Sequence, residues 1–341
     1  MSDTGGGADR VTVVAEAAQG FEGFPRQAQL LARAGAQGGA DLVKLQLVYA
    51  DELAVPSYRW YDLFRELEMS DEEWRSVADE AERCGIGLAF DVYGPRSLDM
   101  AVALGARAVK VHSTDFFNAE LVDAVLATGL DMWFSIGGIS LDEVAEFLDR
   151  HTPTRPDQLT LMYGFQAEPT AAGDNNLRRL ATIRERFPDV RLGFMDHAAG
   201  DSDDAGWLGV LALPYGVRVI EKHITLGRAL KIEDDVSALD AADFSDYVGR
   251  IRTAEAALGV ADGWTTDAET AYRTRALKVV VARRDLAAGE VVSAADVMLK
   301  RTALADGARV VFRLDRAVGR ELTAPVAAHE AVTAERLREP A

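Results

Sequence analysis

Two segments of the chain, RLGFMDH (191–197) and VRVIEKH (217–223), run through apolar residues and then end in ionisable ones. His197 and His223 fall at matching depths at the ends of these runs. Two neutral imidazoles so placed begin a divalent-metal site, with water, substrate or a carboxylate completing the shell. The plainer alternative is a pair of buried histidines held by structural hydrogen bonds. Lys44, in DLVKLQ (41–46), and Lys110, in AVKVHS (108–113), are just as conspicuous. An ammonium within an apolar strand is costly unless it is paired or faces a wet cavity. The two lysines read either as clamps for a phosphate or carboxylate or as salt bridges with Glu16, Asp91 or Glu221. His112 is a weaker candidate, while His151 and His329 fall in loop or small-domain settings.

Residues so far apart need a frame that gathers them. Eight short runs rich in Val, Leu and Ile supply one: VTVVAEA (11–17), DLVKLQ (41–46), GLAFDV (87–92), AVKVHS (108–113), MWFSIG (132–137), LTLMYG (159–164), RLGFMDH and VRVIEKH. This is the pattern of parallel strands covered by helices. Between them, SDEEWRSVADEAERCG sets Ser70 and Glu73 at capping-box spacing and closes at Gly85, and SLDEVAEFLDR repeats the device with Ser140 and Glu143. Strands alternating with helices over roughly 250 residues predict an α/β fold, a (β/α)₈ TIM barrel. An open doubly wound sheet is the competitor, but no G-x-G-x-x-G follows the first run and there is no P-loop. Barrel strands present their carboxyl ends to one mouth. Glu16, Gln46, Asp91, Ser113, Asp115, Ser135 and Gln166 are therefore expected to converge there with the lysines and histidines.

After ADFSDYVGRIRTAEAALG (242–259) the period changes. The expected organisation is a disordered tail (1–10), a barrel (11–260), a polar linker (261–274) and a small β-rich domain (275–341). The net charge of −18 excludes a general nucleic-acid binder and requires placed cations wherever phosphate is handled. No apolar run is long enough to span a membrane, and the first residues lack the features of a signal peptide. The single cysteine, Cys84, excludes an internal disulfide and fits a reducing cytoplasm.

Taken in order, VAEAAQGFEG, GADLVKLQ, AVKVHSTDFFN, SIGG, EPTAAGDNNL, MDHAAG and VIEKHITLGRALKIEDD resemble the N-acetylneuraminate (sialic acid) synthases and their legionaminic and pseudaminic acid synthase relatives. The segment VVVARRDLAAGEVVSAADVMLKR is similar to the antifreeze-like (SAF) domain that ends those enzymes. The resemblance implies condensation of phosphoenolpyruvate with a sugar aldehyde, giving a 3-deoxy-2-ulosonic acid and phosphate. It also implies a divalent metal, Mn2+ or Mg2+, and a domain-swapped homodimer. On this resemblance His197 and His223 are the metal ligands, and Lys44, Lys110, Ser113, Ser135 and Asn176 hold the phosphoenolpyruvate carboxylate and phosphate. Glu16 lies near the reacting centre, Gln46 lines the same pocket, and Asp115 and Asp234 meet the acceptor sugar. Arg301 reaches that sugar from the small domain of the second copy. Glu16, Lys110 and Asp115 form the implied catalytic set.

The chain departs from the family pattern at Gly20-Phe21, Tyr163–Gln166, Met195, Ile232–Asp235 and Thr302-Ala303. Met195 stands where a serine is usual, and Gly20-Phe21 where Asn-His or Ala-His is usual. A retained donor and metal with an altered acceptor is the expectation. One rival is a Schiff-base aldolase using Lys110 or Lys222. Another is a barrel that has lost its chemistry and binds an anionic sugar.

Overall fold

The structure, a computed structural model, describes residues 10–155, 157–259, 266–303 and 309–340. Residues 1–9 of the expected tail and 261–265 of the expected linker lie outside the described residues. The chain divides into two compact units, with the division between Gly259 and Val260.

In the first unit eight parallel strands close in chain order into a barrel. They are β1 (Thr12–Ala18), β2 (Leu42–Gln46), β3 (Gly87–Asp91), β4 (Ala108–Val111), β5 (Asp131–Ser135), β6 (Leu159–Tyr163), β7 (Arg191–Asp196) and β8 (Val219–His223). Closure is made by β1, which pairs with both β2 and β8. The open-sheet alternative is thereby excluded.

Side chains alternate across each strand, and the two faces carry different cores. Val13, Ala15, Val43, Leu45, Phe90, Val109, Phe134, Leu161, Phe194 and Ile220 face outward into the helical shell. Val14, Leu42, Ala89, Ala108, Trp133, Met162, Met195 and Val219 form a separate cluster that fills the barrel. Continuing the inward alternation from these positions gives Glu16, Lys44, Asp91, Lys110, Ser135, His197, Glu221 and His223. The same arithmetic sends Asp196 and Lys222 to the outer face.

The helices are fixed by the sequence signals that predicted them. Ser70 accepts a hydrogen bond from the Glu73 N–H while the Glu73 carboxylate accepts one from the Ser70 N–H, and Gly85 closes the helix Asp71–Cys84 in the left-handed conformation. Ser140 and Glu143 do the same for Leu141–Arg150. From the first of these helices Trp74 is driven fully into the shell. Phe21 meets it edge-on at 5.3 Å, and Trp74 meets Phe90 edge-on at 6.0 Å. Phe21, one of the departures from the family pattern, is a fully buried core residue. Its aromatic ring anchors the loop after β1 to the helical layer, where truncation to alanine should cost about 3–5 kcal/mol.

The second unit begins with a helix, Asp267–Ala276, where a polar linker was expected. Thr266 and Glu269 form its capping box, a T-x-x-E signal present in the sequence. Two short antiparallel pairs follow, β9 (Val279–Ala282) with β10 (Val297–Lys300) and β11 (Glu321–Leu322) with β12 (Leu337–Arg338). They enclose a small core of Val280, Leu286, Val292, Val297, Leu322, Val326 and Val332.

Candidate active site

At the carboxyl end of the barrel five inward ionisable side chains form one buried layer: Glu16, Lys44, Asp91, Lys110 and Glu221. Lys44 pairs with Glu16 and Asp91 and lies 3.7 Å from Glu221. Lys110 donates to Glu221 Oε1 at 2.6 Å. Strand register sets Glu16 beside Lys44, whereas Lys110 on β4 reaches Glu221 on β8, a strand that is not its neighbour in the barrel. The lysines are therefore salt-bridged, as the plainer reading expected, and the salt bridges point into the lumen. Three carboxyl groups thus share the layer with two lysines. Burial drives the Glu16 carboxyl well above its usual range, with Lys44 opposing and Glu221 and Asp91 adding to the rise. Burial also works against charge on Lys44 and Glu221, but their opposite-charge neighbours prevail. Lys44 stays protonated and Glu221 ionised. Asp91 Oδ1 and Glu221 Oε2 are buried without a hydrogen-bond partner.

His197 and His223 stand side by side at the tips of β7 and β8, ring centroids 5.0 Å apart. Burial lowers both: His197 to about 3, helped by Lys110, and His223 well below its usual value, helped by His197. Both are neutral and available as nitrogen donors, and His197 Nδ1 has no hydrogen-bond partner. Among the described residues no group of three or more His, Cys, Asp or Glu side chains is arranged to hold a metal. The donor set thus fits an open site of two imidazoles whose remaining positions belong to water or substrate.

Lys222 does not join them. It lies on the outer face, where it donates to Asp196 Oδ1 at 3.1 Å and to the Ala198 carbonyl at 2.8 Å. Tyr247, on the helix Ala241–Leu258, donates to the other Asp196 oxygen at 3.4 Å. Lys222 is therefore unavailable as a Schiff-base lysine in the lumen.

Around the mouth, Ser113 and Ser135 both donate to Gln166 Oε1, at 3.1 and 3.2 Å, and the Gln166 amide meets His112 Nε2 at 2.9 Å. Burial, reinforced by Lys110, lowers the His112 imidazole. Gly137, in SIGG, must be glycine because a Cβ there would come within 2.5 Å of the Gly164 carbonyl. Gln46 accepts from Gln19 at 2.7 Å. Half-buried Asp115, in the turn Ser113–Asp115, accepts from Asn118 at 2.9 Å. Asp234 accepts from the Gln19 N–H at 3.3 Å. Asn176 adopts the left-handed conformation, and its carbonyl lies 3.4 Å from the Tyr163 hydroxyl. Arg301 belongs to the second unit, where its Nε donates to the Ala276 carbonyl at 2.8 Å. Met195 lines the lumen beside Glu221 as part of the apolar cluster that also holds Met162 and Trp133.

Sequence reasoning passed over two side chains here. Tyr93 follows Asp91 by one inward step, in a segment that reads as an apolar strand end. Burial, with Asp91, Glu16, Asp234 and Asp115 nearby, drives its phenol well above the usual value. Glu168 stands on the loop after β6 and is pushed up to about 7 by desolvation and by Asp234.

With this geometry in hand, comparison with known proteins is direct. The model of the NeuB family matches residues 31–262, and that of the SAF domain matches residues 278–338. An N,N'-diacetyllegionaminic acid synthase of Legionella pneumophila is 28% identical over 307 residues, covering 85% of each chain. A pseudaminic acid synthase of Campylobacter jejuni is 26% identical, covering 84% of this chain and 86% of its own. The crystal structure of an N-acetylneuraminic acid synthetase of Leptospira borgpetersenii shares the fold with a TM-score of 0.69 at 22% identity, covering 78% of this chain and 92% of its own.

Proposed function

We propose, for a chain that belongs to the NeuB family and carries a SAF domain, the condensation of phosphoenolpyruvate with a sugar aldehyde to give a 3-deoxy-2-ulosonic acid and phosphate. The observation that carries the proposal is the lysine–carboxylate layer lying beneath two adjacent neutral imidazoles at one barrel mouth. The names of the relatives support acceptors of the sialic-acid type.

In this reading the carboxylate and phosphate of phosphoenolpyruvate take over Lys44 and Lys110 from their protein partners. Ser113, Ser135, Gln46 and Asn176 supply neutral hydrogen bonds around the bound anion. Fixing the donor so that its C3 faces the aldehyde carbon converts an encounter into a positioned reaction. His197 and His223 would hold the divalent cation, Mn2+ or Mg2+, whose chemistry when bound is polarisation of the acceptor carbonyl. The C3–carbonyl bond forms, water adds at the electron-poor C2, and the C2–O bond to phosphate breaks. Lys44 and Lys110 stabilise the charge on the departing phosphate. Glu16, whose raised carboxyl can hold a proton, and Asp115 are the candidates for moving protons. Asp234 and the small-domain Arg301 of a second copy would hold the acceptor in a domain-swapped dimer acting in the cytoplasm.

The test is phosphate release from phosphoenolpyruvate with manganese, across aldehyde sugars from pentoses to hexosamines, with and without chelator. Acceptor-dependent release that chelator abolishes is expected. Borohydride trapping of a carbonyl substrate on Lys110, together with indifference to chelator, would instead establish the aldolase.

A further inference from the structure

The two serines that the synthase reading gives to the donor anion have their protons turned elsewhere. Ser113, Ser135 and Gln166 come from three neighbouring strands: the turn after β4, the tip of β5 and the loop after β6. Both hydroxyls donate to Gln166 Oε1, at 3.1 and 3.2 Å, and so fill its lone pairs. Gln166 Nε2 faces His112 Nε2 at 2.9 Å. An amide nitrogen only donates, so that ring nitrogen accepts, and the single proton of the neutral imidazole rests on Nδ1. A carboxylate or phosphate needs donors. As they stand, the serine oxygens offer it lone pairs instead.

The same side chains have a second arrangement that is equally complete. His112 Nδ1 lies 3.2 Å from Thr114 Oγ1 and 3.3 Å from the Thr114 backbone nitrogen, an acceptor and a donor at nearly one distance. A protonated Nδ1 is served by the first and a bare Nδ1 by the second. Turning the Gln166 amide over exchanges its oxygen and nitrogen, groups of almost equal size. Its two N–H bonds then meet the two serine oxygens, its oxygen accepts from His112 Nε2–H, and both serine protons are released. Gly137 leaves the amide room, since a Cβ there would lie 3.4 Å from Gln166 Oε1. The backbone on either side is fixed, with the Thr170 hydroxyl 2.7 and 2.9 Å from the Phe165 and Ala167 carbonyls. The Thr170 N–H in turn donates to the His197 carbonyl at 2.8 Å, which also accepts from the Ser237 hydroxyl at 3.0 Å. The side-chain amide is the part left to turn.

We propose that Gln166 is a positioning residue for the donor: the anion of phosphoenolpyruvate draws the Ser113 and Ser135 protons to itself, the Gln166 amide turns over to serve the serine oxygens, and His112 passes from its Nδ1–H to its Nε2–H form. This rests on the synthase reading above. One proton leaves Nδ1 for water and another joins Nε2, so the ring stays neutral. The anion tips the balance because it gains two hydroxyl donors in the turned arrangement and none in the other. Hydrogen bonds to an ionised acceptor are roughly twice as strong as neutral ones, and the turn itself costs none within the set. Gln166 lies in a segment, Tyr163–Gln166, where the chain departs from the family pattern, so the device belongs to this chain.

The experiment follows the His112 ring nitrogens by nitrogen NMR in histidine-labelled protein, assigned with His112→Asn and titrated with phosphoenolpyruvate in magnesium buffer. The proton-bearing signal should move from Nδ1 to Nε2 as the donor binds. Gln166→Met should abolish that exchange and weaken calorimetric binding of phosphoenolpyruvate about tenfold. Gln166→Glu keeps the acceptors but cannot donate, and should weaken binding about 100-fold. Both variants should melt close to wild type, and in turnover their loss should fall on KM rather than kcat. An unchanged tautomer at saturating phosphoenolpyruvate, or wild-type affinity in Gln166→Met, overturns the inference and leaves the synthase reading standing. Should phosphoenolpyruvate not bind the wild type at all, the synthase reading is the one that has failed. Inorganic phosphate then becomes the probe: the same exchange at His112 supports the switch, and its absence overturns it.

Discussion

Glu221 and Lys222 are neighbours on β8, yet they belong to two buried ionic clusters that differ in almost every respect. The outer one is complete. Lys222 meets Asp196 and a backbone carbonyl, while Asp196 also accepts from the Ala198 N–H and from Tyr247. The inner one is crowded with three acids around two lysines, and two of its carboxylate oxygens lack partners. Both are equally buried. Burial of charge therefore does not mark a working site. Unfilled hydrogen-bonding capacity is the feature that singles out the inner cluster as a candidate site, because a ligand can satisfy it.

The sharpest test of this contrast is to remove one lysine from each cluster. Lys110→Met should lower phosphate release by about 1000-fold, with less than about 2 kcal/mol lost in urea unfolding, since Glu221 keeps Lys44 at 3.7 Å. Lys222→Met should do the reverse. Stranding Asp196 should cost about 3–5 kcal/mol, roughly a 10 °C fall in the thermal midpoint, with the folded fraction still active. Equal destabilisation by both variants would erase the distinction. A smaller effect separates the clusters further. Adding Asp196→Leu to Lys222→Met should recover most of the lost stability, as apolar replacement of a complete buried pair often does. The matching lumen change, Glu221→Leu with Lys110→Met, should recover no activity.

The smallest effect concerns the rim. Glu168 is raised to about 7 from its ordinary 4.5, so its contribution to stability is present below pH 4.5 and is lost as pH rises through 7. Glu168→Gln should therefore flatten that decline and stabilise the protein at pH 8, by about 1 kcal/mol after allowing for solvent screening. Thermal melts between pH 5 and 8 would show it. A mutant curve parallel to wild type would mean that Glu168 titrates normally.

The barrel was legible because its strands are short apolar runs with polar tips, and because Ser70 and Ser140 mark helix starts. The in-or-out placement of Glu221 and Lys222 was also written in the alternation, one residue apart, and simple counting from Val219 separates them. The packing of Phe21 was not legible, because its position in a family pattern says nothing of the Trp74 ring waiting on a helix fifty-odd residues on. Glu168 and Tyr93 were missed for different reasons. Tyr93 passes for part of an apolar strand end, and Glu168 owes its place to a backbone bond between Thr170 and His197 that no periodicity encodes.

That bond, with its companion from Ser237, bears on how such an enzyme could diversify. The loops after β6 and β8 share one carbonyl, and it belongs to a histidine of the paired imidazoles. Reshaping either loop pulls on the backbone of His197. Evolvability at this mouth is therefore not modular: side chains can be exchanged on fixed loops, but changes of loop length have to leave both hydrogen bonds in place.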